Sequence, residues 1–106
     1  MRGLALGALV GLALGGCGQG PALNEAAARG QTVYLAQCTA CHATNPAQAG
    51  PVGPPVKGAS RELLEARLLR GGYPPGYTPK RGSALMPPMP QLASSIPDLA
   101  AFLAAE

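Results

Sequence analysis

With 106 residues, 47% of them hydrophobic, the chain makes one small domain at most, and a core of that size is marginal without added support. The formal charge of +3 falls by one if Arg2 leaves with an N-terminal leader, which is too little positive charge to argue for nucleic-acid binding. Twelve prolines and fifteen glycines point to a loop-rich fold, and no tryptophan and a single phenylalanine leave no central aromatic mass.

The chain begins with a positive Met1-Arg2 start and an uninterrupted apolar run from Gly3 to Leu14, the pattern of a secretory signal over residues 1–16. The run is too short and glycine-rich for a membrane span, which needs about 20 apolar residues. It ends in Leu14-Gly15-Gly16-Cys17, which resembles the lipobox of bacterial lipoproteins. That resemblance implies cleavage before Cys17, lipidation of its sulfur and amino terminus, and firm anchoring by several acyl chains. The protein would then be exported and held at the periplasmic or outer face of a bacterial membrane. The other reading is an ordinary cleaved signal with a stray cysteine. Residues 17–23 read as a flexible tether, and residues 24–106 as the folded domain.

Helical character starts at Asn24, a good N-cap, followed by Glu25 and three alanines. One helix is expected to run to Gln37, interrupted by Gly30 at a cost of about 1 kcal/mol relative to alanine. Glycine there makes sense if another helix crosses closely, with Tyr34 beside it on the same face. The helix delivers Cys38-Thr39-Ala40-Cys41-His42, the attachment signature of c-type haem. Each thiol adds across one vinyl group of the macrocycle, and the adjacent histidine offers an imidazole nitrogen to the iron. His42 is the only histidine in the chain. A closed zinc site needs four protein ligands, and no second Cys or His pair accompanies these three residues. A thioredoxin-like dithiol would sit on a βαβ pattern, and no strand-rich stretch precedes this one. Two cysteines for haem and one for lipid also account for the odd cysteine count without a disulfide.

Gly30, Tyr34 and the Cys38–His42 run resemble the opening helix of class I cytochromes c, in which a glycine and an aromatic precede the first cysteine at this spacing. The resemblance implies an all-α fold, a small cytochrome c domain of three or more helices wrapped around one covalently bound haem with long Pro/Gly-rich loops. Gly53-Pro54-Pro55-Val56-Lys57-Gly58 looks like that family's Gly-Pro-x-Leu-x-Gly segment. There the proline carbonyl, here that of Pro54, accepts a hydrogen bond from the unligated nitrogen of the haem histidine and fixes its tautomer. A plain proline-rich turn is the alternative.

Ser60 is predicted to cap a second helix, Arg61 to Arg70, ending at Gly71-Gly72. Leu64 and Leu68 share its core face and Leu63 and Leu69 broaden it, while Arg61, Arg67 and Arg70 read as a solvated face or a docking patch for an acidic partner. Residues 71–84 carry no helical or strand period and are expected to wrap the lower haem edge, with Tyr73, Tyr77, Lys80 and Arg81 as candidate propionate partners. In the same family a methionine followed by proline, on the loop before the last helix, supplies the second axial ligand. Met86, followed by Pro87-Pro88, fits that pattern better than Met89, and both remain open. Ser95-Ile96-Pro97-Asp98 reads as a capping box for a final helix to about Ala104, with Leu99, Phe102 and Leu103 facing the core and Phe102 at the crossing with Gly30.

The resemblance implies a membrane-tethered one-electron carrier with one haem c, ligated by His42 and Met86, and not an enzyme. Its partners would be redox proteins (an oxidase, a reductase or a dehydrogenase) met at the cysteine-bearing edge near Thr39 to Ala43, through small transient contacts. A second reading makes it the haem subunit of a larger oxidoreductase. A third, a five-coordinate haem that reacts with peroxide or binds a gas, requires that neither Met86 nor Met89 ligate.

Overall fold

A computed structural model describes residues 23–82 and 85–105. The expected leader, the tether and the lipidation site at Cys17 lie outside the described residues. The described elements are α1 (Glu25–Gln37), α2 (Arg61–Arg70), a six-residue 3-10 turn (Pro90–Ser95) and α3 (Ile96–Ala104), with no strand among the described residues. The all-α expectation agrees with this. No described helix is long and apolar enough to cross a membrane.

Asn24 caps α1 by accepting from the Ala27 N–H at 2.8 Å, and Ser60 caps α2 by accepting from the Leu63 N–H at 3.1 Å. Each relieves one of the donors that a helix start leaves without a partner. α2 ends at Gly71 in the left-handed conformation (φ 65°), with the Gly72 N–H bonded to the Ala66 carbonyl six residues back at 2.9 Å.

α3 starts differently from the capping box expected there. Ser95 has helical backbone angles (φ −92°, ψ −6°) and its side chain caps nothing. The 3-10 turn runs straight into α3, and its carbonyls take the first N–H groups; Ile96 donates to Ala93. A cap hydroxyl has nothing left to satisfy.

α1 and α3 share the most extensive helix–helix contact. Their closest approach is at Gly30, where an added Cβ would overlap the Asp98 carbonyl and come within 2.9 Å of Phe102 Cβ. The crossing expected at Gly30 and Phe102 is there. Tyr34 lies one turn on, its ring 5.4 Å from that of Phe102 and tilted by 45°, and Arg29 ties α1 to Asp98 by an exposed ion pair at 3.0 Å, the kind that salt screens. Around this crossing Tyr34, Leu68, Leu92, Ile96, Leu99 and Leu103 form the buried core. Ile96, Leu99 and Leu103 recur at helical spacing on one side of α3. On α2, Leu68 is buried, but Leu69 faces solvent and does not broaden the core face as expected.

Alanine at position 30 would gain about 1 kcal/mol of helix propensity. Against this, overpacking costs about 1–3 kcal/mol, and a neighbouring backbone carbonyl cannot swing aside. Gly30→Ala is therefore expected to lower the thermal unfolding midpoint. Gly72→Ala, which adds its Cβ to open space, should leave the midpoint within about 0.5 kcal/mol of stability. Thermal unfolding followed by circular dichroism compares the two.

Candidate functional site

The end of α1 shapes the site. Cys38 N–H still bonds to Tyr34, and Cys41 and His42 both bond back to the Cys38 carbonyl, at 3.3 and 2.9 Å. The helical turn thus continues through the motif, and residues spaced i, i+3 and i+4 come to one face. Cys38, Cys41 and His42 all line one cavity.

His42 is held from several directions. Its Nδ1 lies 2.8 Å from the Pro54 carbonyl. A carbonyl carries no proton, so Nδ1–H donates and Nε2 keeps its lone pair. Pro54 therefore stands where the sequence placed it. The Cys41 carbonyl accepts from the Val52 and Gly53 N–H groups at 3.2 and 2.8 Å, folding the 50–53 turn against the motif. As a result Gly53 backs the imidazole so closely that a Cβ there would overlap Cε1 and Nδ1, and a Cβ on Gly50 would lie 2.6 Å from His42 Cα. Neither glycine stood out as a support for His42 in the sequence. The pattern Gly50-Pro51-Val52-Gly53-Pro54 held the only signal, two glycines bracketing a turn just before the orienting proline.

The two methionines have different surroundings. Met86 lines the cavity and Met89 does not. Met89 packs against the hydrophobic core, and its N–H bonds to the Leu68 carbonyl at 2.7 Å. Pro88 rests near the glycine that ends α2, 3.1 Å from where a Gly71 Cβ would be. The methionine loop is thus fastened to the end of α2 by residues 88 and 89, which leaves Met86 on the cavity side.

The cavity has a volume of about 320 Å³, and Leu64, Leu68, Leu99 and Leu103 supply an apolar wall. Tyr73, Tyr77, Lys80 and Arg81 line it too, as expected. Lys80 reaches the Pro55 carbonyl at 2.8 Å and Arg81 the Val52 carbonyl, so the 71–82 loop is drawn to the segment that supports His42. Tyr73 and Tyr77 stack at 5.4 Å. Arg67, read from sequence as part of a solvated or docking face, is instead half-buried. It donates to the Gly71 carbonyl at 2.9 Å and lies 4.4 Å over the Tyr73 ring, a cation–π contact. Among the described residues four cations, Lys57, Arg67, Lys80 and Arg81, border the cavity and no acidic residue does. Arg61 pairs with Glu65 on the helix surface.

Two other chemistries fit poorly. Among the described residues no group of three or more His, Cys, Asp or Glu side chains is arranged to hold a metal ion by itself. Cys38 and Cys41 form no disulfide, and burial pushes the Cys38 thiol up to about 11, the reverse of the lowered value a redox dithiol uses. A flat apolar macrocycle bearing two vinyls, two carboxylates and an iron matches this lining in each part: two cysteines, an imidazole, an apolar wall and an acid-free cationic border. A family model described as cytochrome c oxidase, cbb3-type, subunit III matches residues 25–103.

The chain belongs to this family of c-type cytochromes. It carries a covalently bound haem c and serves electron transfer. No curated protein and no solved structure matches it. In this cytochrome Cys38, Cys41 and His42 share the wall of one cavity.

Gly53→Ala forces either the imidazole or the 52–54 turn to move, at a cost of about 1–3 kcal/mol by overpacking. Covalent haem yield, read from the haem absorbance of the denatured protein against protein mass, is expected to fall. The surviving protein should unfold at a lower temperature than the Gly72→Ala control. Yield and midpoint equal to the control would contradict the crowding at His42.

Proposed function

We propose that this chain is a membrane-tethered one-electron carrier whose haem iron is ligated by His42 and Met86. The observation that carries the reading is that Met86 lines the same cavity as Cys38, Cys41 and His42 while Met89 does not. When bound, the haem supplies a one-electron Fe(III)/Fe(II) couple, and with both axial positions taken it offers no site for substrate, so the chain itself is not an enzyme. Cys38 and Cys41 anchor the macrocycle as thioethers. His42 presents Nε2, with Pro54 holding its ring and raising its basicity. Met86 contributes a soft neutral sulfur, which favours the reduced state and raises the potential. The leucines of α2 and α3 exclude water from one side, and the cationic border suits the haem carboxylates. Ala40 is exposed between the two cysteines, in keeping with a partner contact at the Thr39–Ala43 edge.

The lipobox-like run that ends at Cys17 supports the reading of a carrier outside the cytoplasm, lipid-anchored at the periplasmic or outer face of a bacterial membrane. The partners are redox proteins: an oxidase, a reductase or a dehydrogenase. A second reading, the haem subunit of a larger oxidoreductase, is favoured by the family's description as an oxidase subunit. Whether the haem protein purifies alone or with other subunits separates the two.

Met86→Ala is expected to abolish the weak long-wavelength absorption band of thioether-ligated ferric haem, and Met89→Ala to retain it. Since Met89 is only partly buried, its loss should lower stability by less than truncating a fully buried methionine does, about 2–5 kcal/mol. The reverse pattern assigns the ligand to Met89. A high-spin spectrum in the parent protein removes the carrier reading in favour of a five-coordinate haem. Cys17→Ser should release the haem-loaded protein from membranes on fractionation; retention in the membrane pellet would refute the lipid anchor.

A further inference from the structure

Tyr34 is 1% exposed, yet it carries a hydroxyl into the core, where a phenylalanine would fill the same space without a polar group to satisfy. Its hydroxyl donates to the Ala43 carbonyl. No other described group donates to that carbonyl, and Ala43 directly follows His42. On the other side of His42, the Cys41 carbonyl is held by Val52 and Gly53. The chain is thus pinned on both sides of the histidine: the Cys41–His42 peptide by the 50–53 turn, and the Ala43–Thr44 peptide, one residue beyond His42, by Tyr34. Tyr34 itself is fixed by α1 and by its contact with Phe102, so the pin connects His42 to the α1–α3 crossing.

We propose that Tyr34 is a positioning residue for the axial histidine: its hydroxyl, through the Ala43 carbonyl, fixes the backbone of His42 and so keeps Nδ1–H on the Pro54 carbonyl. This rests on the reading of His42 as iron ligand. One neutral hydrogen bond contributes about 0.5–1.5 kcal/mol net, enough to change how firmly the imidazole is held while leaving the fold in place. A less firmly held Nδ1–H is a weaker donor to Pro54. The imidazole is then less basic, ferric iron is less stabilised, and the reduction potential rises.

Tyr34→Phe removes one oxygen and keeps the ring. In the reduced haem-loaded protein, solvent exchange of His42 Nδ1–H, followed by NMR, is expected to speed up on the order of tenfold, and voltammetry to show a higher potential. Arg29→Gln breaks the exposed ion pair to Asp98 at the same crossing without touching Tyr34 and should change neither readout. Fluorotyrosine placed at position 34 is a stronger donor and should shift both in the opposite direction; if Tyr34→Phe fails to accumulate, this protein decides alone. Unchanged exchange and potential in folded Tyr34→Phe, equal changes in Arg29→Gln, or no opposite shift with fluorotyrosine would each overturn the proposal. If the parent His42 ring protons lack the large shifts imposed by an adjacent haem, the ligand reading fails first and separately.

Discussion

Backbone contact between α1 and α3 at Gly30 is the constraint on which the other positions depend. Because no side chain separates the helices there, Tyr34 meets Phe102 one turn further on, and the end of α1 is held at one place relative to α3. That end is the attachment motif. α3 in turn fixes the other half of the site, since its Leu103 carbonyl accepts from the Gly58 N–H at 2.7 Å and so fastens the segment that contains Gly53 and Pro54. The histidine and the carbonyl that orients it are therefore both referred to the same crossing, by separate connections.

The cavity walls are assembled with few residues. Six side chains make the buried core, and fully burying a leucine-sized side chain contributes about 1.5–3 kcal/mol, which leaves a domain of this length near the edge of stability. Haem packed against Leu64, Leu68, Leu99 and Leu103 adds the apolar contact that the side chains lack. Attachment and folding belong together for that reason: the group that performs the chemistry is also the largest apolar body in the domain.

What the sequence disclosed about the site divides by the range of the physics involved. The Cys38–His42 run was legible because vinyl spacing dictates it locally, and Pro54 because its segment resembles that of class I cytochromes c. Gly30 was legible because a glycine inside a helix needs a reason, and a close crossing is the usual one. The Ser95 cap was misread because Ser-Ile-Pro-Asp has the same local signature whether or not a 3-10 turn already supplies the carbonyls. Arg67 and Leu69 exchanged the expected surface and core roles because the 71–82 loop, which has no period to read, covers one side of α2 and leaves the other bare. The crowding of Gly50 and Gly53 against His42 went unread since it comes from the motif folding back on itself, a tertiary fact. The preference for Met86 over Met89 followed proline spacing; the structure adds that Met86 lines the cavity and Met89 does not.

The methionine loop has a further consequence. Pro87, Pro88 and Pro90 leave only Met86 and Met89 with free φ angles between residues 86 and 90, and Met89 is committed to Leu68. Such a stretch has few alternative shapes even in the unfolded chain, so ordering it costs little entropy. It also has few shapes to relax into when the charge beside it changes by one electron. A wall that does not rearrange keeps the reorganisation energy small, and a small reorganisation energy lets electrons move quickly on a modest driving force.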